Sequence, residues 1–299
     1  MKTVVGIDLG GTSIYGGLIN EKGEILTKVS KDTGSQGGRK IVLNKIKETI
    51  KELIKDINVE AIGLGSPGFI DVTQGRVLTI GGNIKDWAGT NIKEELSVEF
   101  KKIPIFIGND ANVAAICEEW LGAAKGLDSF IMLTLGTGVG GAIFSKEFGI
   151  WHGKNSQGAE LGHAILYPNG RLCNCGQKGC VEQYISGNGI EKNFYELTGK
   201  ELKGAEIFKN SKIDKNCKET VDKFVADLGT YLLSIKNIFD PEGIIIGGGV
   251  INSKEFWWEE MVNYYFKNCN NPEGTEILPA KFLNDAGMIG AAKVALDNI

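Results

Sequence analysis

The sequence has few histidines, cysteines and prolines, and it has no long hydrophobic run. Its 299 residues include 2 histidines, 6 cysteines and 6 prolines. Cys117, Cys217 and Cys269 stand alone, and no leader-like segment precedes the apolar run from Val4, which argues against a secreted disulfide framework. No uncharged apolar stretch approaches the roughly 18 to 20 residues that cross a bilayer. We therefore expect a cytoplasmic protein with no membrane partner.

An excess of positive charge is also missing, because the formal net charge is -4. Lysines alternate with acids along helix-like segments and form no basic stripe, so we do not expect nucleic acid as a partner. At about 100 to 200 residues per domain, the length predicts two domains with a substantial core.

What the sequence does contain is glycine, with 42 residues that cluster at the ends of apolar runs. A strand at 3–9, a glycine turn and a second strand open the chain, and the stretch FIMLTLGTGVGGAIF repeats this order. We interpret the pair as an internal duplication. Apolar residues at helical spacing predict helices at 40–56, from 110, at 219–239 and at 286–297. This alternation predicts an α/β fold of two lobes facing a cleft.

The two glycine turns resemble nucleotide-binding loops in their composition. GTGVGG at 136–141 matches G-x-G-x-x-G, but a strand follows it where a dinucleotide site needs a helix, and Lys154 stands where its acid is sought. DLGGT lacks the Gly-Lys-Ser/Thr ending of a Walker A loop. Bare backbone N–H groups with the hydroxyls of Thr12 and Thr137 suit phosphate oxygens, and Asp8 suits a hydrated Mg²⁺. Ordinary tight hairpins are the alternative.

Asn109 and Asp110 lie where a predicted strand ends and a helix begins, which is where open α/β sheets bind ligands. A carboxylate there can orient a substrate hydroxyl and accept its proton during phosphoryl transfer. The neighbouring amide offers both a donor and an acceptor to a polyhydroxylated ligand. The alternative is that Asp110 only caps the helix.

Four metal-ligating side chains crowd into eighteen positions: His163, Cys173, Cys175 and Cys180. One imidazole and three thiolates complete a tetrahedral structural zinc set, with a redox Cys-x-Cys pair as the alternative. Glu160 and Glu182 flank this set, so the ion would hold both carboxylates and the imidazole together. Such a group suits the hydroxyl pattern of a sugar, although either acid alone could be a solvated surface residue. His152 is interpreted as an ordinary loop histidine.

Motifs along nearly the whole chain together resemble the ROK family of sugar kinases and repressors. They are DLGGT, SPGFID, Asn83 with Trp87 in NIKDW, GND, LGTGVGG, GAELGH, CNCGQKGC with VEQYISG, and IIIGGGV. The resemblance implies an α/β, two-lobed actin/hexokinase-like ATPase fold with a cleft. It also implies ATP with Mg²⁺ and transfer of the γ-phosphoryl group to a hexose, usually at the 6-hydroxyl.

The resemblance also assigns roles to residues. Asp110 matches the catalytic base, and Gly68 matches a backbone contact to the sugar. The side chains that match sugar ligands are Asn83, Asn109, Glu160, His163 and Glu182. His163 would then serve both the zinc and the sugar. The positions that match phosphate loops are Gly10, Gly11, Thr12, Gly136, Thr137 and Gly138, and those that match the adenosine loop are Gly247 and Gly248.

We therefore predict an ATP-dependent hexose kinase, with glucose as first choice and a homodimer as the family's usual assembly. The alternatives are an N-acetylmannosamine kinase, a fructokinase, or a sugar-sensing regulator without catalysis. Because the first strand starts at Thr3, we do not expect the DNA-binding segment of the repressor branch. The predicted lobes are residues 1–110, with a final helix at about 286–299 packed back onto them, and residues 111–285, which carry the zinc site.

Overall fold

A computed structural model describes residues 2–55, 57–79, 84–271, 273 and 275–299 of the chain. These residues pack into two compact units. The first unit comprises Met1–Lys125, His152–Gly158 and Asn284–Ile299, and the second comprises Gly126–Trp151 and Ala159–Leu283.

The secondary structure alternates strands and helices. The strands are β1 (Thr3–Leu9), β2 (Ser13–Asn20), β3 (Ile25–Asp32), β4 (Ile62–Ser66), β5 (Phe69–Asp71), β6 (Arg76–Thr79), β7 (Ile105–Asn109), β8 (Ser129–Leu135), β9 (Val139–Ser145), β10 (Gly149–Ile150), β11 (Gly243–Gly247) and β12 (Glu276–Pro279). The α-helices are α1 (Arg39–Leu53), α2 (Ile92–Ser97), α3 (Asp110–Trp120), α4 (Glu182–Ile185), α5 (Gly187–Thr198), α6 (Gly204–Asn210), α7 (Lys215–Phe239), α8 (Trp258–Asn268) and α9 (Ala286–Asp297).

The first unit is built on a five-stranded sheet in the order β3-β2-β1-β4-β7. β1, β2 and β3 pair antiparallel, whereas β1, β4 and β7 run parallel. The helix α1 buries an apolar face that recurs at helical spacing, including Val42, Ile46, Ile50 and Leu53. The hydrophobic pattern therefore places this helix against the sheet and leaves its glutamates, Glu48 and Glu52, exposed.

Glycines let α9 approach both the sheet and α3 closely. A Cβ added at Gly6 would lie 2.1 Å from the carbonyl oxygen of Met288, and one at Gly63 would lie 1.8 Å from that of Ala291. On the other side of the helix, a Cβ at Gly290 would lie 1.6 Å from the carbonyl oxygen of Val113. Any larger residue would force these elements apart, because packed interiors leave no room for added methyl groups.

The second unit repeats this arrangement in the sheet order β10-β9-β8-β11-β12. β8, β9 and β10 pair antiparallel, while β8, β11 and β12 run parallel. The two similar glycine-rich stretches of the sequence therefore occupy the same place in two similar sheets. This is the duplication that their similarity predicted.

The core of the second unit is aromatic. Trp257 and Tyr265 are each 1 % exposed, and Trp257 packs edge-on against Phe224 at 5.2 Å between ring centroids. Phe266, two-fifths exposed, is the outward member of the aromatic run from 256 to 266. Trp257 and Tyr265 therefore lie in the core of this unit, and Phe256, Trp258 and Tyr264 are partly buried against it.

The closing helix α9 and the helix α3 both belong to the first unit by their packing. The lobe boundary that we predicted after residue 110 stays a prediction, because units that pack together need not be the bodies that move together. Among the described residues, no helix combines the length and the apolar character that a bilayer span requires.

Candidate active site

The carboxyl ends of three neighbouring parallel strands bring polar residues together in the first unit. Asp8 lies opposite Gly65 in the register of β1 and β4, and Ser66 lies opposite Asn109 in that of β4 and β7. Asp110 follows directly as the first residue of α3. The edge of an open α/β sheet where its parallel strands end is the usual ligand position. The fold therefore gathers these residues where a substrate is expected.

Asp8 and Asp110 both have raised pKa values. Burial and, less strongly, repulsion from Asp110 raise the pKa of Asp8 to about 7. Burial raises the pKa of Asp110 to about 6, although the Ala111 N–H at 2.8 Å and the Asn109 side chain favour the charged form. A carboxylate with a pKa closer to neutrality is a stronger base than an ordinary one. Both groups thus have the electrostatic character of catalytic acids or bases.

Asn109, and not Asp110, caps the helix α3. The Asn109 side-chain oxygen accepts from the Asn112 N–H at 3.2 Å, and its amide nitrogen donates to the Gly68 carbonyl at 3.1 Å. The alternative interpretation of Asp110 as the N-cap is therefore wrong, because Asp110 already lies inside the helix. The same contacts fix the loop that carries Gly68 beside Asn109.

A buried hydrogen-bond chain supports that loop. The indole of Trp87, 1 % exposed, donates to the Ser66 hydroxyl at 3.0 Å, and that hydroxyl donates to the Pro67 carbonyl at 3.1 Å. The motifs contained Trp87 and Ser66, but nothing in their spacing showed that the two side chains meet. Asn83, predicted as a sugar ligand, lies outside the described residues.

The first glycine turn, Gly10–Thr12, joins β1 to β2. The Gly10 N–H donates to the Ser13 carbonyl at 2.9 Å, and Thr12 is exposed. Thr33, fully buried at the end of β3, supports this turn from behind, because its hydroxyl donates to the Gly10 carbonyl at 2.8 Å and its N–H to the Thr12 carbonyl at 2.9 Å. Sequence reasoning missed Thr33, which has no motif around it.

The second glycine turn, Gly136–Gly138, joins β8 to β9 and has the same length as the first. The Gly136 N–H donates to the Gly138 carbonyl at 2.9 Å, and Thr137 is exposed. Gly247 and Gly248 end the neighbouring parallel strand β11. Gly248 has φ 83° and lies so close to Leu135 that an added Cβ would be 2.5 Å from its carbonyl oxygen. The structure therefore brings both predicted loops of this unit to one sheet edge.

The metal cluster, His163 with Cys173, Cys175 and Cys180, has the dimensions of a zinc site. All four ligand atoms lie within 4.8 Å of one another. The Cys173 sulfur is 3.7 Å from His163 Nδ1, and the Cys175 sulfur is 3.6 Å from the Cys180 sulfur. Tetrahedral zinc, with Zn–S bonds of about 2.3 Å, places neighbouring ligand atoms about 3.8 Å apart. The donor set and its spacing therefore fit one zinc ion.

Three of the five side chains predicted as sugar ligands belong to this cluster or lie beside it. His163 turns Nδ1 towards Cys173 and Nε2 towards Glu160, whose carboxylate oxygen is 3.9 Å from Nε2. Glu182, the first residue of α4, follows Cys180 by two positions and points one oxygen at the Val139 N–H at 3.0 Å. The structure thus brings Glu160, His163 and Glu182 together in the second unit, as their sequence positions predicted.

Arg171 anchors the cysteine loop, which carries Cys173, Cys175 and Cys180, to the helices α4 and α5. No sequence motif had pointed to this residue. Its guanidinium donates to Glu196 at 2.7 Å and to Asn193 at 2.7 Å, and it lies over the Tyr184 ring at 4.6 Å. Its backbone N–H donates to the Tyr184 hydroxyl at 2.8 Å. An arginine with this many partners holds the loop in one arrangement.

The chain is similar to known proteins along nearly its whole length. The profile described as "ROK family" matches residues 4–298. The chain is 34% identical to a glucokinase from Thermotoga maritima, over 99% of this chain and 98% of the relative. It is similar to the structure of a ROK hexokinase from Thermus thermophilus, with TM-score 0.87 and 33% identity over 99% of this chain and 98% of that one. It is also similar to a ROK family glucokinase from Streptomyces griseus in complex with glucose and AMPPNP, with TM-score 0.86 and 28% identity over 99% of both chains. With the two sheets described above, these likenesses confirm the predicted α/β actin/hexokinase-like ATPase fold.

Proposed function

Because the chain belongs to the ROK family, we propose that it is an ATP-dependent hexose kinase that phosphorylates the 6-hydroxyl of glucose. One observation carries the chemistry. Asp110, half-buried beside the cap residue Asn109 at the end of β7, has a pKa raised by desolvation to about 6. It is therefore a stronger base than a surface carboxylate and is still ionised at neutral pH.

Phosphoryl transfer to an alcohol needs little covalent chemistry from the protein, because its transition state is loose. The requirement is a carboxylate that orients the hydroxyl and accepts its proton as the phosphoryl group arrives. We assign this role to Asp110. The Asn109 cap on α3 fixes the backbone from which Asp110 projects, which limits the positions available to its carboxylate.

ATP is assigned to the two glycine turns and the adenosine loop at Gly247 and Gly248. Exposed backbone N–H groups and the hydroxyls of Thr12 and Thr137 supply donors for phosphate oxygens. Asp8 is suited to hold Mg²⁺, since desolvation and the neighbouring Asp110 raise the pKa of its carboxylate to about 7, and a nearby cation would stabilise its charged form. When bound, the ion would neutralise charge on the phosphate oxygens.

The sugar is assigned to Asn83, Asn109, Glu160, His163 and Glu182, with a backbone contact at Gly68. Carboxylates and amides are the groups that read hydroxyl patterns, because each accepts or donates directional hydrogen bonds. Zinc held by His163 and the three cysteines would leave no open coordination position, so its role would be to fix the shape of the sugar site. The Nε2 atom of His163 remains directed away from the cysteines, towards Glu160.

Glucose is our first choice because the relative and the complex described above are glucokinases. N-acetylmannosamine and fructose are the competing substrates, since loop shape decides whether an acetamido group or a different ring is accepted. A sugar-sensing regulator without catalysis is the competing class of function. The presence of Asp110 and of both glycine turns favours the enzyme. We also propose a cytoplasmic homodimer.

The test of this proposal is the variant Asp110→Asn. It should lower kcat by roughly 10²–10⁴-fold, the usual contribution of a general base, and leave the dissociation constant for glucose within about twofold. Asp297→Asn, a surface substitution with the same chemical change, is the matched control and should leave kcat unchanged. Near-normal turnover of Asp110→Asn would show that another group is the base.

A further inference from the structure

Glu182 makes a contact that a sugar ligand alone does not require. Its Oε2 atom accepts from the N–H of Val139, the residue that follows the second glycine turn, at 3.0 Å. Gly138 leaves the space for this carboxylate, because an added Cβ would lie 2.4 Å from Oε2. The turn and the carboxylate are therefore packed as one unit.

The other carboxylate oxygen of Glu182 faces the metal cluster. Oε1 is 3.9 Å from the Cys173 sulfur, and Cys180, fully buried, precedes Glu182 by two residues. Between them, Val181 is also fully buried and donates its N–H to the Ala164 carbonyl at 2.8 Å. These contacts leave the backbone at Glu182 little freedom, so its position is set by the metal cluster.

A second hydrogen bond connects the same segment to the same turn. The Gly187 N–H, at the start of α5, donates to the Gly136 carbonyl at 2.8 Å. Glu182 and Gly187 thus hold Val139, which follows the second glycine turn, and Gly136, which begins it. The backbone that connects them, α4, is itself attached to the cysteine loop because Arg171 lies over the ring of Tyr184.

We propose that Glu182 is a positioning residue for nucleotide binding. It holds the second glycine turn in one conformation, and that conformation depends on whether the metal cluster is occupied. This inference rests on the proposed function, in which that turn binds ATP phosphates. A turn whose N–H groups are already arranged binds phosphate without first losing conformational freedom. Nucleotide affinity should therefore depend on Glu182 even when no sugar is present.

The test is calorimetric titration of MgADP into zinc-replete protein without any sugar. Glu182→Ala should raise the dissociation constant about tenfold, the loss expected for one hydrogen bond to a charged acceptor. Glu182→Gln keeps an oxygen acceptor for the Val139 N–H, so its dissociation constant for MgADP should stay within about threefold of wild type. Both variants should weaken glucose binding. Glu219→Ala, which removes an exposed carboxylate from α7, is the control for loss of charge.

The outcomes separate this inference from the proposed function. If wild-type protein binds MgADP and Glu182→Ala binds it equally well, Glu182 serves only the sugar and the inference is overturned. Equal losses in the alanine and glutamine variants would also overturn it, because the glutamine retains the acceptor. If wild-type protein fails to bind MgADP, the proposed function itself fails. Circular dichroism and zinc content establish that each variant is folded and loaded.

Discussion

The substitution Asp110→Asn should stabilise the protein while it removes the catalytic base. Asp110 is charged at neutral pH in a place that disfavours charge, since burial raises its pKa from 3.8 to about 6. Each tenfold change in proton affinity corresponds to about 1.4 kcal/mol. The rise of the pKa from 3.8 to about 6 therefore lowers the free energy of unfolding by about 3 kcal/mol at neutral pH. Asparagine has nearly the same shape, can still accept from the Ala111 N–H, and carries no charge.

This gain should depend on pH in a defined direction. The folded protein binds the Asp110 proton more tightly than the unfolded chain does. The loss of unfolding free energy that Asp110 causes therefore grows as pH rises from about 4 to about 6, and it reaches its full value above that range. The variant should therefore melt higher than wild type at pH 7.5, and the difference should shrink towards zero near pH 4. For a protein of this size, 2–3 kcal/mol corresponds to a rise in Tm of about 3–5 °C.

The assay is thermal unfolding followed by circular dichroism at pH 7.5 and pH 4.5, without Mg²⁺ or nucleotide. A chelator must be avoided, because it would also compete for the zinc that we propose at the cysteine cluster. Asp297→Asn, on the surface of α9, should change Tm by less than about 1 °C at either pH. Melting of Asp110→Asn at or below the wild-type Tm at pH 7.5 would show that the charge of Asp110 does not destabilise the fold. An equal rise in Tm at pH 7.5 and pH 4.5 would show the same.

Three further predictions concern catalysis, the metal cluster and the loop support. Because the base must be deprotonated, kcat/KM for glucose should fall about tenfold per unit as pH drops below the Asp110 pKa of about 6, and a flat profile down to pH 5 would contradict this. Cys175→Ser should lose zinc by elemental analysis and weaken glucose binding, whereas full glucose affinity in zinc-free protein would contradict the structural role of the metal. Trp87→Phe keeps the buried ring but loses the hydrogen bond to Ser66, so KM for glucose should rise about three- to tenfold with a smaller change in kcat. An equal loss of MgADP affinity in Trp87→Phe would show general damage instead.

The sequence was most informative where a feature is local. Apolar runs on either side of the two glycine turns predicted β1, β2, β8 and β9, and helical spacing predicted α9 at its observed bounds. The metal cluster was also predictable, because its three cysteines are close in sequence and one histidine completes the set. Shorter elements such as β5, β6 and α6 were not predicted, since a few residues carry too little periodicity to distinguish them from loops.

The supporting contacts could not be predicted, because they join residues that are far apart in sequence. Thr33 reaches back to Gly10 and Thr12, and Trp87 reaches back to Ser66. Helix capping at Asn109 was misjudged by one position, which is the usual uncertainty of a helix boundary. The contact between Glu182 and Val139 depends on a side-chain direction that no motif records. Roles for the site residues could be proposed from the sequence. The residues that hold them in position could be identified only from the fold.

The most direct test of the account is ADP release by zinc-replete protein with MgATP against a panel of hexoses and N-acetylhexosamines. For an ATP-dependent glucose kinase, we expect sugar-dependent ADP release, with kcat/KM for glucose well above that for N-acetylmannosamine and fructose. Strong preference for one of those sugars would retain the kinase and replace its substrate. Sugar binding without ADP release on any member of the panel would contradict the central claim and identify a sensor.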